Sequence, residues 1–154
     1  MPQLVKGGKY VFGWSRIADD GCIKIPDEAV QEYKLSQGMK VFLISASRTS
    51  GGFVIAAKSK LDGSSIGRFL VENPELNDYK IEEGDIIAYK NRKYGWTTIQ
   101  NMNVLKLSDK VMEAYGIRPG DALLSARGSN IGISLIVKGP IVEYARKHPE
   151  IKCF

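Results

Sequence analysis

Gly13-Trp14 returns in this chain as Gly95-Trp96, an offset of 96 − 14 = 82. At the same offset Ile25-Pro26-Asp27, followed by Tyr33 and Gly38, returns as Leu107-Ser108-Asp109, followed by Tyr115 and Gly120. Across the 36 positions from 13 to 48, eight residues recur unchanged: Gly13, Trp14, Ile17, Lys24, Asp27, Tyr33, Gly38 and Ser47. Average composition would give roughly two. A duplication of this kind limits the fold more than any motif does. One backbone must accept both copies, and neither copy is large enough to bury its own apolar face alone. The match resumes after a two-residue gap, where Gly52-Phe53-Val54-Ile55 and Lys58 meet Gly132-Ile133-Ser134-Leu135 and Lys138. A third stretch aligns at an offset of 75, with Ile66, Pro74 and Glu75 against Ile141, Pro149 and Glu150.

Within the first copy the aromatic and β-branched run Tyr10 to Ile17 predicts a strand. Ala18-Asp19-Asp20-Gly21 then predicts a turn and Cys22 to Ile25 a second strand, together a hairpin. Pro26 fixes the first turn of a short helix, with Asp27 and Glu28 at its positive end and Ala29, Val30 and Tyr33 on its apolar face. Ser36-Gln37-Gly38 ends that helix before a strand from Val41 to Ser45, and Gly51-Gly52 turns the chain into Phe53 to Ala57. The second copy has the same order: strands at Tyr94 to Gln100 and Val104 to Leu107, a helix face of Val111, Met112 and Tyr115, and a break at Arg118 to Asp121 before Ala122. Accessory helices are expected at Ser65 to Glu72 and Ile141 to Lys147. Ile81 to Ile87 repeats the turn-then-strand pattern of Ile117 to Leu123, as a hairpin arm or a connector strand. The expected fold is therefore mainly β with short helices (α+β). Two ββαββ repeats, residues 1–60 and 89–139, share one pseudo-twofold barrel, with an accessory helix and acidic connector at 61–88 and a C-terminal helix at 140–154.

At 154 residues, with 44% hydrophobic and 25% charged, the composition is that of an ordinary globular chain. No apolar run approaches the roughly 20 residues of a membrane span, and Met1-Pro2-Gln3-Leu4 lacks a signal peptide's apolar core, so a cytoplasmic location is expected. Cys22, Cys153 and His148 are too few and too far apart for a zinc site, and no cofactor is expected. Cys22 reads as a small buried residue and Cys153 as a free thiol. The net charge of +5 divides into +4 for residues 1–60, −5 for 61–85 and +6 for 86–154. Basic character thus belongs to the repeated unit and acidic character to the connector, which suits either a polyanion site or an unevenly charged surface.

A short hairpin, Ile-x-Ile-Pro opening a helix, and a Gly-containing break before a strand resemble the SpoVT/AbrB family of swapped-hairpin barrels. The residues that carry the resemblance are Ile23-Lys24-Ile25-Pro26-Asp27-Glu28, Leu35 to Val41 and Gly116-Ile117-Arg118-Pro119-Gly120-Asp121, within residues 12–58 and 94–138. In that family two short chains interleave into one barrel, so the tandem copy implies the same barrel from one polypeptide. The resemblance further implies a transcription factor that holds DNA phosphates with basic side chains on the hairpin and helix start. This sequence departs from the pattern. The family's Gly-Arg before the second strand is Gly21-Cys22 and Asn103-Val104 here, and its helix arginines fall on Val30 and Gln31, and on Met112 and Glu113.

Lys24 and Lys106, identical across the repeat, are the leading phosphate contacts, followed by Arg16, Lys9, Arg92 and Lys93. Lys6, Lys9, Lys90, Arg92 and Lys93 interleave with Tyr10, Phe12, Trp14, Tyr89, Tyr94 and Trp96, a mixture that suits a nucleic-acid face, although Trp14 and Trp96 themselves read as core. Gly63-Ser64-Ser65-Ile66-Gly67 matches the Gly-x-Ser-x-Gly elbow of serine hydrolases. It reads as coincidence, because Ser64 has a role as a helix cap and the one histidine is distant in sequence. Gly128-Ser129-Asn130-Ile131-Gly132 reads as a β-turn rather than a phosphate cradle. The expected function is a non-enzymatic, DNA-binding transcriptional regulator, with a possible homodimer of pseudo-dimeric chains. The alternative is a ligand-binding or protein-interaction barrel that has lost the DNA site.

Overall fold

The computed structural model describes residues 3–4, 10–62, 64, 67–127 and 131–154. The first copy runs through β1 (Gln3–Leu4), β2 (Tyr10–Arg16), β3 (Cys22–Lys24), α1 (Asp27–Glu32), β4 (Lys40–Ser45) and β5 (Phe53–Ala57). Three one-turn helices follow, α2 (Lys58–Leu61), α3 (Arg68–Glu72) and α4 (Pro74–Asn77). The second copy comprises β6 (Ile87–Tyr89), β7 (Arg92–Thr98), a 3-10 turn at Asn101–Asn103, β8 (Val104–Lys106), α5 (Asp109–Tyr115), β9 (Ala122–Arg127), β10 (Gly132–Ile136) and α6 (Pro140–Arg146). Most expected strands appear within two residues of their predicted bounds. The expected helix at Ser65 to Glu72 is described from Arg68, and Ser65 and Ile66 lie outside the described residues.

The strands form an eight-stranded sheet in the order β1-β2-β9-β10-β5-β4-β7-β6 and a separate two-stranded ribbon, β3-β8, all antiparallel. Each copy's first long strand thus pairs with the strand that follows the helix in the other copy: β2 with β9, and β7 with β4. The registers correspond residue by residue. Arg16↔Ala122, Ser15↔Leu123, Trp14↔Leu124 and Gly13↔Ser125 map by the offset of 82 onto Thr98↔Lys40, Thr97↔Val41, Trp96↔Phe42 and Gly95↔Leu43. The ribbon pairs Ile23 with Leu105, and β5 pairs Val54 with Ser134; both pairs map onto themselves, so the pseudo-twofold axis passes through them. Among the described residues the main sheet is open, with β1 and β6 at its ends, and no closed barrel is found.

One face of the sheet, the ribbon and helices α1 and α5 enclose a central core drawn from both copies. It pairs Ile23 with Leu105, Ile25 with Leu107, Ala29 with Val111, Tyr33 with Tyr115, and Val41 with Leu123. The shared core is what a duplicated unit of this size requires. The opposite face splits. Helices α2 to α4 cover Phe42, Ile44, Ala56, Tyr94 and Trp96, whereas α6 and Ile151 cover Val11, Leu124, Ala126 and Ile136.

The Gly-Trp echo has a structural cause. A Cβ on Gly95 would lie 2.5 Å from Asp85 O, and one on Gly13 would lie 2.7 Å from Lys152 O. In each copy the glycine therefore admits a segment that runs along the strand edge, where Gly84 N donates to Trp96 O (3.1 Å) and Phe154 N to Trp14 O (2.6 Å). The copies differ at Gly13, whose φ of +148° accompanies a register shift between Val11 and Gly13 absent from β7. They differ also at the helix ends. Pro26 stands at the cap, one position before the first helical residue where the sequence suggested the first turn, and has no side-chain cap bond. Ser108 instead accepts from Val111 N at 3.1 Å, and Gly116 closes α5 in the left-handed conformation that Lys34 adopts after α1.

Candidate nucleic-acid interface

Alternation about the buried Ile23–Leu105 pair puts Cys22 and Lys24 on the same outward face of the ribbon as Val104 and Lys106. The two lysines so predicted do share one surface, diagonally across the pseudo-twofold axis. Both are engaged: Lys24 Nζ lies 3.7 Å from Asp27 Oδ1, and Lys106 Nζ donates to Asp20 O. Asp20 is held below the usual carboxylate range, first by the Cys22 amide, with further help from the Cys22 side chain and Lys106. Cys22 is half-buried on this outward face and not in the core, because the period of two that buries Ile23 turns its neighbours outward. Burial, then Asp20, pushes its thiol up.

The remaining candidates are dispersed. Arg16 ends β2 and donates from Nη1 to Gly120 O at 2.7 Å. Arg92 and Lys93 open β7, where Arg92 Nη1 donates to Ser45 O (3.0 Å) and the Lys93 amide to Ser45 Oγ (2.7 Å). Under the repeat they correspond to the opposite end of the strand from Arg16, roughly 20 Å away along seven extended residues. Lys9, with Lys6, lies outside the described residues. Of the interleaved aromatics, those whose side chains are described pack inward and do not make a stacking surface. Phe12, Tyr94 and Trp96 are buried, and Trp14 and Tyr89 are half-buried against the outer clusters.

Sequence reasoning missed where the acidic connector goes. Glu83 Oε2 accepts from Thr98 N (2.6 Å) and Thr97 Oγ1 (3.0 Å), so a carboxylate occupies the second copy's equivalent of Arg16. Asp85 pairs with Lys110 at 2.8 Å, and Ser108 Oγ donates to Gly84 O at 2.6 Å. This bond with Lys110 holds Asp85 below the usual range and raises Lys110. The acidic run was visible in the sequence; its docking on the helix start of the second copy was not. Of the helix positions that carry arginine in the resembled family, Val30 and Met112 are core residues, while Gln31 and Glu113 are exposed.

Of the catalytic-looking strings, Ser64, Gly67, Ile131 and Gly132 are among the described residues. Ser64 Oγ donates to Leu61 O (2.7 Å) and accepts from Gly67 N (3.0 Å), which makes it a turn residue and not the helix cap expected from the sequence, since Gly67 stands at the cap of α3. Gly63, Ser65 and Ile66, like Gly128 to Asn130, lie outside the described residues. His148 is paired with Glu150 at 2.9 Å. Among the described residues no three His, Cys, Asp or Glu side chains cluster to hold a metal, and no helix is long and apolar enough to cross a membrane. Comparison with family models, curated proteins and solved structures finds no match for this chain.

Proposed function

We propose that this chain is a cytoplasmic DNA-binding regulator, a single-chain version of the SpoVT/AbrB swapped-hairpin barrel, whose ribbon face lies on duplex DNA. Support for the architecture is the exchange of strands between copies about one pseudo-twofold axis. The observation that carries the function is the pair Lys24 and Lys106, on one outward face across that axis, matching the local twofold of a duplex. The contact is lopsided. The first copy adds Arg16, whereas the second presents Thr98 covered by Glu83. Anisotropy of a labelled mixed-sequence duplex over a salt series tests this. Replacing both lysines by glutamine should reduce the slope of log K against log salt by roughly 0.9 per contact, or about 1.8. Absence of binding at low salt, or an unchanged slope in the double variant, refutes the reading.

A second reading, a ligand or protein-interaction module on the same scaffold, is favoured by the connector carboxylates. They cancel charge where a symmetric DNA site would need it. If it holds, Glu83→Gln with Asp85→Asn leaves the duplex unbound, whereas under the DNA reading the same change tightens binding.

A further inference from the structure

The molecule carries an occupied and an open version of one groove. In the occupied version Tyr79 sits beside Trp96, ring centroids 5.2 Å apart, and stacks on Phe42 at 5.4 Å with planes 9° apart. Lys40 Nζ lies 4.6 Å from the Tyr79 ring centre and 5.2 Å from that of Trp96. Tyr79 reaches this place with a φ of +56°, a conformation that side chains such as tyrosine seldom adopt, so its packing outweighs the backbone cost.

The corresponding place beside Trp14 is lined by no tyrosine. In the first copy ten positions separate Pro74 from Gly84, which bonds Trp96 O; in the second, five separate Pro149 from Phe154, which bonds Trp14 O (84 − 74 against 154 − 149). At the offset of 75 Tyr79 falls on Phe154, whose ring lies against Gly13 and does not line the groove. The walls shrink as well: Lys40 becomes Ala122 at the offset of 82, and Leu70 becomes Ala145 at the offset of 75. What results is a groove of about 680 Å³ lined by Trp14, Ala122, Ala145 and Ile151 and rimmed by Arg16 and Arg146. That volume is in the range of small-ligand sites.

We propose that this groove binds a compact aromatic anion, one flat ring bearing a carboxylate. The ring takes the place that Tyr79 takes against Trp96, with the quadrupole and dispersion contacts such pairs favour. The anion is selected by the rim. Arg16 and Arg146 line the groove with Asp121, two positive charges and one negative, and Asp121 already accepts from Arg118 N at 3.1 Å. Arg16 has five donors, with Gly120 O as its hydrogen-bond acceptor; Arg146 is shared with Glu143 at 2.7 Å. Arg16 is therefore the principal carboxylate partner. The groove shares Arg16 with the proposed duplex surface, but its ligand and its readout at Trp14 are separate from DNA binding.

The test uses the full ¹⁵N-labelled chain, whose two tryptophans give two indole N–H signals, assigned with Trp96→Phe. Titration with 4-hydroxyphenylacetate should move the Trp14 signal saturably and leave Trp96 in place. The neutral ring 4-ethylphenol should bind roughly tenfold more weakly, the value of one charge-assisted hydrogen bond. Ala145→Leu, which restores the first copy's residue, should abolish the shift. Arg16→Gln, at an exposed position, should bring the acid down to the affinity of the phenol while leaving the fold intact. No saturable shift, equal movement of both indoles, or undiminished binding in folded Ala145→Leu overturns the proposal. So does an unchanged preference for the acid in Arg16→Gln.

Discussion

Gly95→Ala isolates the function of the repeated glycine. Gly95 lies in an ordinary strand and has no positive φ, so a Cβ there brings no backbone strain; its whole cost is steric. The added carbon would stand 2.5 Å from Asp85 O and 3.1 Å from Ile86 Cδ1. Carbon and oxygen at ordinary contact are about 3.5 Å apart, so the connector must retreat by about 1 Å. That retreat breaks Gly84 N–Trp96 O (3.1 Å), Thr98 N–Glu83 (2.6 Å) and Thr97 Oγ1–Glu83 (3.0 Å). Three hydrogen bonds at about 1 kcal/mol each, less roughly 0.5–1 kcal/mol gained by replacing a strand glycine, give a net loss of about 2–2.5 kcal/mol. Urea unfolding should show this as a lower midpoint with an unchanged slope, and thermal unfolding as a fall of roughly 4–10 °C. Trp96 emission should shift too, because its Nε1 donates to Ile81 O at 2.9 Å in the same segment. A loss below about 0.5 kcal/mol, typical of a neutral surface change, refutes the edge-docking explanation of the Gly-Trp repeat.

Two further outcomes follow from the helices. Burial, reinforced by Glu32, pushes the Tyr33 hydroxyl from 10.0 up to about 12. The folded state therefore favours the protonated phenol; this stabilisation is complete below pH 10 and is lost as pH rises toward 12. Unfolding midpoints measured between these values should fall less steeply in Tyr33→Phe, and parallel curves for the two proteins would contradict the assignment. Ser108→Ala removes the only side-chain N-cap among α1 and α5 together with the bond to Gly84 O, at a cost of about 1–2 kcal/mol in urea unfolding; a cost no greater than Pro26→Ala would argue against it.

The duplication made the element order and the shared core legible, because a repeated sequence must repeat its backbone. Phe53–Ala57 appears as predicted, and Ile81 to Ile87 leads into the β6–β7 hairpin through a turn at Lys90 and Asn91, both at positive φ. The exchange of β2 and β7 between copies was not readable from composition or periodicity, since either pairing would bury the same residues; only the resemblance pointed to it. Cys22 was misplaced for a simpler reason: an apolar neighbourhood was given more weight than the alternation that correctly turns Lys24 outward. The groove beside Trp14 escaped notice because its signal is a difference between copies. Ala122 for Lys40, Ala145 for Leu70 and a path five residues shorter acquire meaning only when both faces are in view.

Identity and divergence between the copies sort by what each position touches. Tyr33 and Tyr115, Ile17 and Ile99 are identical and share the central core, and Gly13 and Gly95 are identical because each admits an edge segment. Divergence falls where the surroundings differ: Arg16 against Thr98 under Glu83, Lys40 against Ala122 beside the open groove. Lys24 and Lys106 do not fit this division. They are outside the core, and their contacts are unlike, a carboxylate of Asp27 in one case and the carbonyl of Asp20 in the other. Neither packing nor a common partner requires the same residue at both places. What the two positions do share is an outward face and a common axis, the arrangement on which the proposed duplex contact rests.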